Sequence, residues 1–188
     1  MALSAPAPKK YEDTVRVLDF RTKQRSTTVR GKRGIILTTI GETKFTLLEV
    51  LGVEGSTFEV GERIDVSRES RSKVSSVLGK LEYERIPSSA RDEIPDIVRE
   101  IVEDSEERFV AYINRAEPLT PRTHALEIIP GVGRRLLKVI VDERAKSPFT
   151  SYADVEERTG LKDPVMRIVQ RIIDEITGVT RMNIFVKR

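Results

Sequence analysis

The chain contains no cysteine. That removes disulfides, thiolate nucleophiles and every zinc or iron–sulfur site that needs a Cys ligand. It contains one histidine, His124. A multi-histidine metal site is thereby excluded, and any Ser-His-Asp triad would have to use that residue. Tryptophan is absent, and the aromatics are four Tyr and six Phe. No apolar run approaches the roughly 20 residues that a membrane-crossing helix needs. The first ten residues lack the apolar stretch of a secretory signal. The expectation is a cytoplasmic protein with no membrane partner. No pattern calls for a cofactor.

What is present is charge. Of 188 residues, 34% are charged and 38% hydrophobic, which still supports a core. The length suits two small domains. The net charge of +3 conceals an asymmetry. Residues 1–87 carry 16 basic and 12 acidic side chains, residues 88–111 carry 3 and 8, and residues 112–188 carry 14 and 10. Two basic ends flank an acidic middle, a distribution compatible with a polyanionic partner.

Along the chain, residues 1–10 read as a flexible lead with Pro6, Pro8 and Lys9-Lys10. From 11 to 87 the pattern is β. Thr14–Phe20, Gly34–Ile40 and Lys44–Leu51 are the stronger strands, and Glu62–Val66 and Leu78–Ile86 the weaker ones. Glycine-marked turns separate them, which predicts a small barrel or sandwich, the barrel form being like the oligonucleotide-binding kind. Arg21, Lys23, Arg25, Arg30, Lys32 and Arg33 lie in one stretch without an acidic residue. It reads as a long mobile loop between the first two strands, either a nucleic-acid contact or a solvated charge run. Phe20, Phe45 and Phe58 are available as stacking platforms, and each also fits a core.

From Ser89 the period becomes helical. Ile94, Ile97, Val98, Ile101 and Val102 form one face, and Asp92, Glu93, Asp96, Glu100 and Glu103 the solvated other. Phe109, Tyr112, Ile113 and Ala116 repeat the pattern, so residues 88–118 read as linking helices. Thr120-Pro121 predicts a helix start, with His124 inside that helix. The overall expectation is α+β: a barrel over 11–87, then an all-α tandem helix-hairpin-helix domain over 119–178. Residues 179–188 form a basic tail, read as a last strand or a tether.

The sharpest pattern runs from Leu126 to Ile140. A short helix ends at Ile129-Pro130-Gly131-Val132-Gly133, and a second begins at once with Arg134, Arg135 and Lys138. Two glycines permit positive φ and close approach of another backbone. Val132 plugs the gap between the helices, and Leu136, Val139 and Ile140 form the buried stripe. Free N–H groups of the second helix's first turn suit a phosphate oxygen. The candidate nucleic-acid-binding residues are therefore Gly131, Val132, Gly133, Arg134, Arg135 and Lys138, with the six cations of the loop. A second hairpin follows: Ser151 caps Tyr152–Arg158, and Asp163-Pro164 opens a helix with Val165, Ile168, Val169, Ile172, Ile173 and Ile176 in register. Asp163 places negative charge where a phosphate would sit, so this copy reads as structural.

Several phrases together resemble one family. They are Tyr11-Glu12-Asp13, Val17–Phe20, Phe45–Val50, Gly61-Glu62-Arg63, Leu81–Glu84, Glu106–Val110, Leu126–Gly133 and Pro148-Phe149. The chain resembles, from about Tyr11 to Ile176, the archaeal family called "domain of unknown function 655". The resemblance implies an N-terminal barrel related to nucleic-acid-binding folds and a helix-hairpin-helix region. It also implies RNA binding, and genes near those for ribosomal RNA methylation and translation. The family's loop is richer in Tyr and Pro than Arg21–Arg33.

Three functions compete. The first is a non-catalytic nucleic-acid-binding protein, RNA favoured and DNA open, in ribosome biogenesis or translation. The second is a protein-interaction module in ribosome assembly or transcription, with ribosome-associated partners. The third is a DNA-repair enzyme, since Asp154 lies 21 positions after Gly133, where some glycosylases carry a catalytic Asp. That enzyme class needs a larger helical body and a base pocket.

Overall fold

The computed structural model describes residues 12–20 and 26–187. The lead 1–10 and the cations Arg21, Lys23 and Arg25 lie outside the described residues. The fold is α+β, a curled antiparallel half-barrel sheet plus five helices. The chain divides into two compact units, residues 1–94 with 182–188, and residues 95–181.

The first unit is built on β1 (Thr14–Phe20), β2 (Thr27–Val29), β3 (Lys32–Gly41), β4 (Leu47–Val53), β5 (Arg63–Asp65) and β6 (Val74–Lys80). The order is β5-β1-β3-β4-β6, all antiparallel, with β2 paired to β3. Val15, Val17, Ile35, Leu37, Leu48 and Val50 alternate along three strands and bury one face around Phe58. Register shifts between Val17 and Asp19, and twice along β4–β6, add the local twist that curls such a sheet.

Three expectations change here. The segment 26–33 is a tight hairpin: Val29 pairs with Lys32 across Arg30-Gly31, both at positive φ. That is the two-residue turn whose twist matches the flanking strands, so this part is not a mobile loop. Phe45 and Phe58 are fully buried and Phe20 packs against the core. Phe45 and Phe58 are core and offer no stacking platform, while Phe20 is half-buried. The last strand is Val74–Lys80, not Leu78–Ile86, and Tyr83–Arg85 is a 3₁₀ turn.

Glu12 locks the start of the sheet. Its carboxylate accepts the amides of Thr43, Lys44 and Thr46 at 3.0, 2.9 and 3.3 Å. Gly41 makes the space, since a Cβ there would overlap that carboxylate. The chain end returns to this unit. The Lys187 amide donates to the Lys44 carbonyl at 2.9 Å, and the Lys187 carbonyl accepts from the Thr46 hydroxyl. Residues 181–187 form neither the predicted strand nor a free tether.

Helix α1 (Ser88–Asp104) begins in the first unit and ends in the second. The second unit adds α2 (Glu106–Arg115), α3 (Arg134–Lys146), α4 (Tyr152–Thr159) and α5 (Pro164–Thr177). Its helix ends are closed by side chains. The Tyr152 hydroxyl donates to the Val102 carbonyl at 2.8 Å, and burial pushes that phenol's pKa up. Arg144 donates to the carbonyls of Ile113 and Ala116, both at 2.8 Å, closing α2. Arg158 donates to the carbonyls of Glu143 and Ser147, closing α3, and stacks on Phe149. These bonds fall on carbonyls of the last turns and C-caps, where the helix leaves acceptors over; the Glu143 carbonyl also accepts the Ser147 amide.

No helix starts at Pro121. Pro118–Thr120 (β7) pairs with Thr123–His124 (β8), and the Thr120 hydroxyl accepts the Arg122 amide to close their turn. Two prolines and two threonines between 118 and 123 disfavour a helix. His124 lies outside any helix and caps the four-residue 3₁₀ turn Ala125–Ile128. Its Nδ1 accepts the Leu126 amide at 3.1 Å, while Glu127 accepts the His124 amide at 2.8 Å.

Candidate nucleic-acid interface

The turn before α3 is built by its own residues. Pro130 holds Ile129 extended, at φ −74° and ψ 123°, so the 3₁₀ turn stops there. Gly131 follows at φ +90°, a conformation that disfavours any side chain. Val132 turns inward and is 4% exposed, and its amide donates to the Ile129 carbonyl at 3.0 Å. Only one of the two glycines needs its conformational freedom. Gly133 sits at φ −86° and ψ 175°, ordinary extended backbone. Of the two glycines that permit positive φ, only Gly131 adopts it. What Gly133 supplies is open space: a Cβ there would meet nothing within 4 Å.

Gly133 is the N-cap of α3 and offers no side-chain acceptor. The first amide engaged is that of Leu137, which donates to the Gly133 carbonyl at 2.9 Å. The amides of Arg134, Arg135 and Leu136 have no acceptor among the described residues. Arg134 and Arg135 are exposed and have no carboxylate partner among the described residues. Two cations thus stand at the positive end of a helix dipole, where negative charge is the stabilising sign. Lys138 is different, because it pairs with Asp142 at 3.0 Å one turn on. Of the buried stripe, Ile140 is fully buried and Leu136 and Val139 are half-buried.

The neighbouring helix starts are capped. Ser151 accepts the Asp154 amide at 3.0 Å at the head of α4. Asp163 accepts the Met166 amide at 3.1 Å at the head of α5. In the second hairpin the carboxylate of the chain itself occupies the position of an anion. Leu161 is buried there as Val132 is in the first.

Arg167 lies beside the Gly131 turn, a position that its own sequence context does not mark. Its Nε and Cζ lie 3.3 and 3.4 Å from where a Cβ of residue 131 would be, so its guanidinium covers the Gly131 turn. It is exposed and donates to the Lys162 carbonyl at 3.3 Å. Nothing in the local pattern of α5 marks it, since its relation to Gly131 is set by packing. Arg171 and Glu175 were also hidden inside the apolar period of α5. They form a buried pair at 2.9 Å, and Arg171 donates to the Ile128 carbonyl at 3.4 Å, tying α5 to the segment before the turn. Burial, then the nearby Glu175, pushes the Tyr112 phenol up to about 12, and its hydroxyl donates to the Ala125 carbonyl.

Asp154 is engaged in capping. It accepts the Thr150 amide at 2.9 Å and Arg158 at 3.2 Å. The Thr150 amide bond, then Arg158, holds its carboxyl below the usual range. Of the basic stretch in the first unit, Arg30 and Lys32 project at the β2–β3 hairpin, while Arg33 pairs with Glu54 at 3.2 Å. Asp92, Asp96, Glu100 and Glu103 are exposed along α1.

Comparison with known proteins places the chain among archaeal relatives. It is 33% identical over 175 residues to the uncharacterized protein MJ0038 of Methanocaldococcus jannaschii, covering 90% of this chain and 76% of the relative. The crystal structure of Af1531 from Archaeoglobus fulgidus superposes with a TM-score of 0.79 at 33% identity. That match covers 94% of this chain and all of the other. The family described as "Protein of unknown function (DUF655)" matches residues 11–187, and the chain belongs to it.

Proposed function

We propose that the chain is a non-catalytic nucleic-acid-binding protein that grips a phosphate backbone at the head of α3. The observation that carries this reading is the pair Arg134 and Arg135 on an uncapped helix start. Like charge on the positive end of a dipole is unfavourable by itself and becomes favourable when an anion docks. The 3₁₀ turn, the Gly131 turn and α3 then act as the first hairpin of a helix-hairpin-helix pair. The second hairpin, capped by Asp163, packs against it and takes no phosphate. Arg167 adds a third cation beside the turn.

The half-barrel supports the same reading. A partly open five-stranded antiparallel barrel is the form of oligonucleotide-binding folds, which use loops and one face to track strands. Arg30 and Lys32 at the hairpin tip would add a contact there. RNA is favoured over DNA by the family resemblance, and a role in ribosome biogenesis or translation follows from the same source. Asp154, held by Thr150 and Arg158, serves helix capping in this reading, and no cofactor is required.

Backbone contacts of this kind carry little sequence information. Affinity should fall steeply with salt. The test is a fluorescence-anisotropy titration of single-stranded RNA, structured RNA and duplex DNA at two salt concentrations. Binding that is salt-sensitive and lost in Arg134→Glu/Arg135→Glu supports the reading. No binding to any polymer at low salt overturns it in favour of a protein-interaction module.

A further inference from the structure

The first unit contains a cleft of about 880 Å³ that neither the hairpin nor the basic stretch accounts for. Its walls come from the segment before β1, the β3–β4 connection, the start of β4, β6, the β5–β6 connection and Lys187. Arg68 and Arg71 line it from the β5–β6 connection, Lys80 from β6, and Lys187 from the returning tail. None of these four has a carboxylate partner among the described residues. Other cations of the same unit are paired, Arg16 and Arg63 with Glu42, Arg33 with Glu54, and Lys73 with Glu62, while Arg30 and Lys32 stand apart from the cleft at the β2–β3 hairpin.

Two carboxylates also line the cleft, Glu12 and Asp13. Glu12 is 5% exposed and its oxygens accept three backbone amides. It faces its own turn, and with Lys44 the lining carries five cations against two carboxylates, so the excess of positive charge stays in place. Between the cations the floor is apolar, with Leu48 and Val66 nearly buried and Val77 about one-third exposed. Gly79 leaves that wall bare, since a Cβ there would meet nothing within 4 Å.

Unpaired cations around an apolar floor fit a ligand with two ends of different character. A phosphate alone would leave the floor wet. A volume of this size falls within the roughly 300–1,000 Å³ of small-ligand sites. Guanidinium planes also stack on bases, which gives Arg68 and Arg71 a role beyond charge.

We infer that this cleft seats one nucleotide of a single-stranded nucleic acid, with phosphate on Lys80 and Lys187 and the base against Leu48, Val66 and the arginine planes. The inference rests on the nucleic-acid-binding reading but uses none of the α3 residues. It gives the protein two separate contacts, one for a duplex-like backbone and one for an unpaired nucleotide.

The experiment uses the full chain and a fluorescein-labelled five-nucleotide single-stranded RNA, with an RNA duplex measured in parallel. Free nucleoside monophosphate and poly-glutamate serve as competitors. The expected result is pentamer binding that weakens at least tenfold in Arg68→Ala/Lys80→Ala, while the same variant binds the duplex as the parent does. Duplex binding should weaken in Gly133→Asp. Competition by the monophosphate at concentrations near those of the pentamer assigns the cleft to a free nucleotide and overturns the strand reading. Equal competition by poly-glutamate removes the base from recognition and overturns it too. Pentamer binding unchanged in the double variant also overturns it, while duplex binding sensitive to Gly133→Asp leaves the α3 reading standing. Protection of Lys80 and Lys187 from acetylation by the pentamer tests the unmutated protein, and unprotected lysines refute the cleft.

Discussion

Replacing Gly133 by aspartate separates folding from binding by sign. Gly133 already has the extended backbone that an N-cap residue adopts, φ −86° and ψ 175°, and open space around its Cβ. An Asp side chain there can accept the Leu136 amide, as Asp163 accepts the Met166 amide on α5. The cap itself adds a few tenths of a kcal/mol over glycine. The carboxylate on the helix dipole adds roughly 0.3–1 kcal/mol. The loss of glycine's freedom in the unfolded chain adds roughly 0.4–1 kcal/mol. Stability should therefore rise by on the order of 1 kcal/mol. Binding should move the other way. The new carboxylate occupies the amides that a phosphate needs and repels it. Losing one charge-assisted hydrogen bond, about 1.5–3 kcal/mol, weakens affinity roughly 10- to 150-fold. Urea unfolding followed by circular dichroism reads the first effect, and anisotropy with an RNA duplex reads the second. Gly133→Asn, a cap without the charge, should stabilise similarly and weaken binding less. A Gly133→Asp protein that is folded, stabilised and still binds RNA as the parent does would refute the backbone grip.

Arg171→Met should lower stability by roughly 3–5 kcal/mol, because it leaves Glu175 buried without its cation; a urea-derived loss below about 1 kcal/mol would contradict this. Gly41→Ala should displace the Glu12 carboxylate from its three amides, costing at least about 1.5–3 kcal/mol in the same assay. Burial, then Arg144, holds the His124 imidazole below its ordinary pKa. The folded state thus takes up that proton less readily than the unfolded chain. Stability is full above about 6.5 and falls as pH drops from there through the lower folded value. His124→Asn, which keeps an acceptor for the Leu126 amide, should flatten the urea midpoint between about pH 7.5 and 5; an unchanged profile would assign the loss to other groups. Arg134→Ala should reduce the salt slope of RNA binding by about 0.7–0.9, the share of one phosphate contact, and an unchanged slope would remove Arg134 from the interface.

The elements that periodicity marks were readable from sequence. The stripe Ile94, Ile97, Val98, Ile101 and Val102 is buried on α1 as spaced, and Asp163-Pro164 opens α5 as its residue types demand. The failures have local causes. Thr120-Pro121 carries the chemistry of a helix cap, but the same residues suit a turn, and pairing of 118 with 124 decided between them. Arg30-Gly31 lacks the usual Asn-Gly or Asp-Gly of a two-residue hairpin, so the charge around it drew attention to solvent and away from the turn. The final strand was placed late because its buried residues do not alternate cleanly across two register shifts with β4.

The candidate site was readable for the opposite reason to the core. Its signal is a missing group: a helix start with no acceptor and with two arginines where acids belong. That mismatch can be seen in Gly133-Arg134-Arg135, because local chemistry and the helix dipole disagree there. Arg167 and the β5–β6 arginines carry no such mismatch. Arg167 sits on an exposed helix position where arginine is ordinary, and Arg68 and Arg71 lie in a polar connection. Their unpaired state becomes visible only when the carboxylates of the same unit are assigned to other cations, Glu42 to Arg16 and Arg63, Glu54 to Arg33, Glu62 to Lys73. Sequence therefore marks a candidate anion site where one residue contradicts its own backbone, and hides a candidate where the imbalance is a property of how acids and bases are shared across the fold.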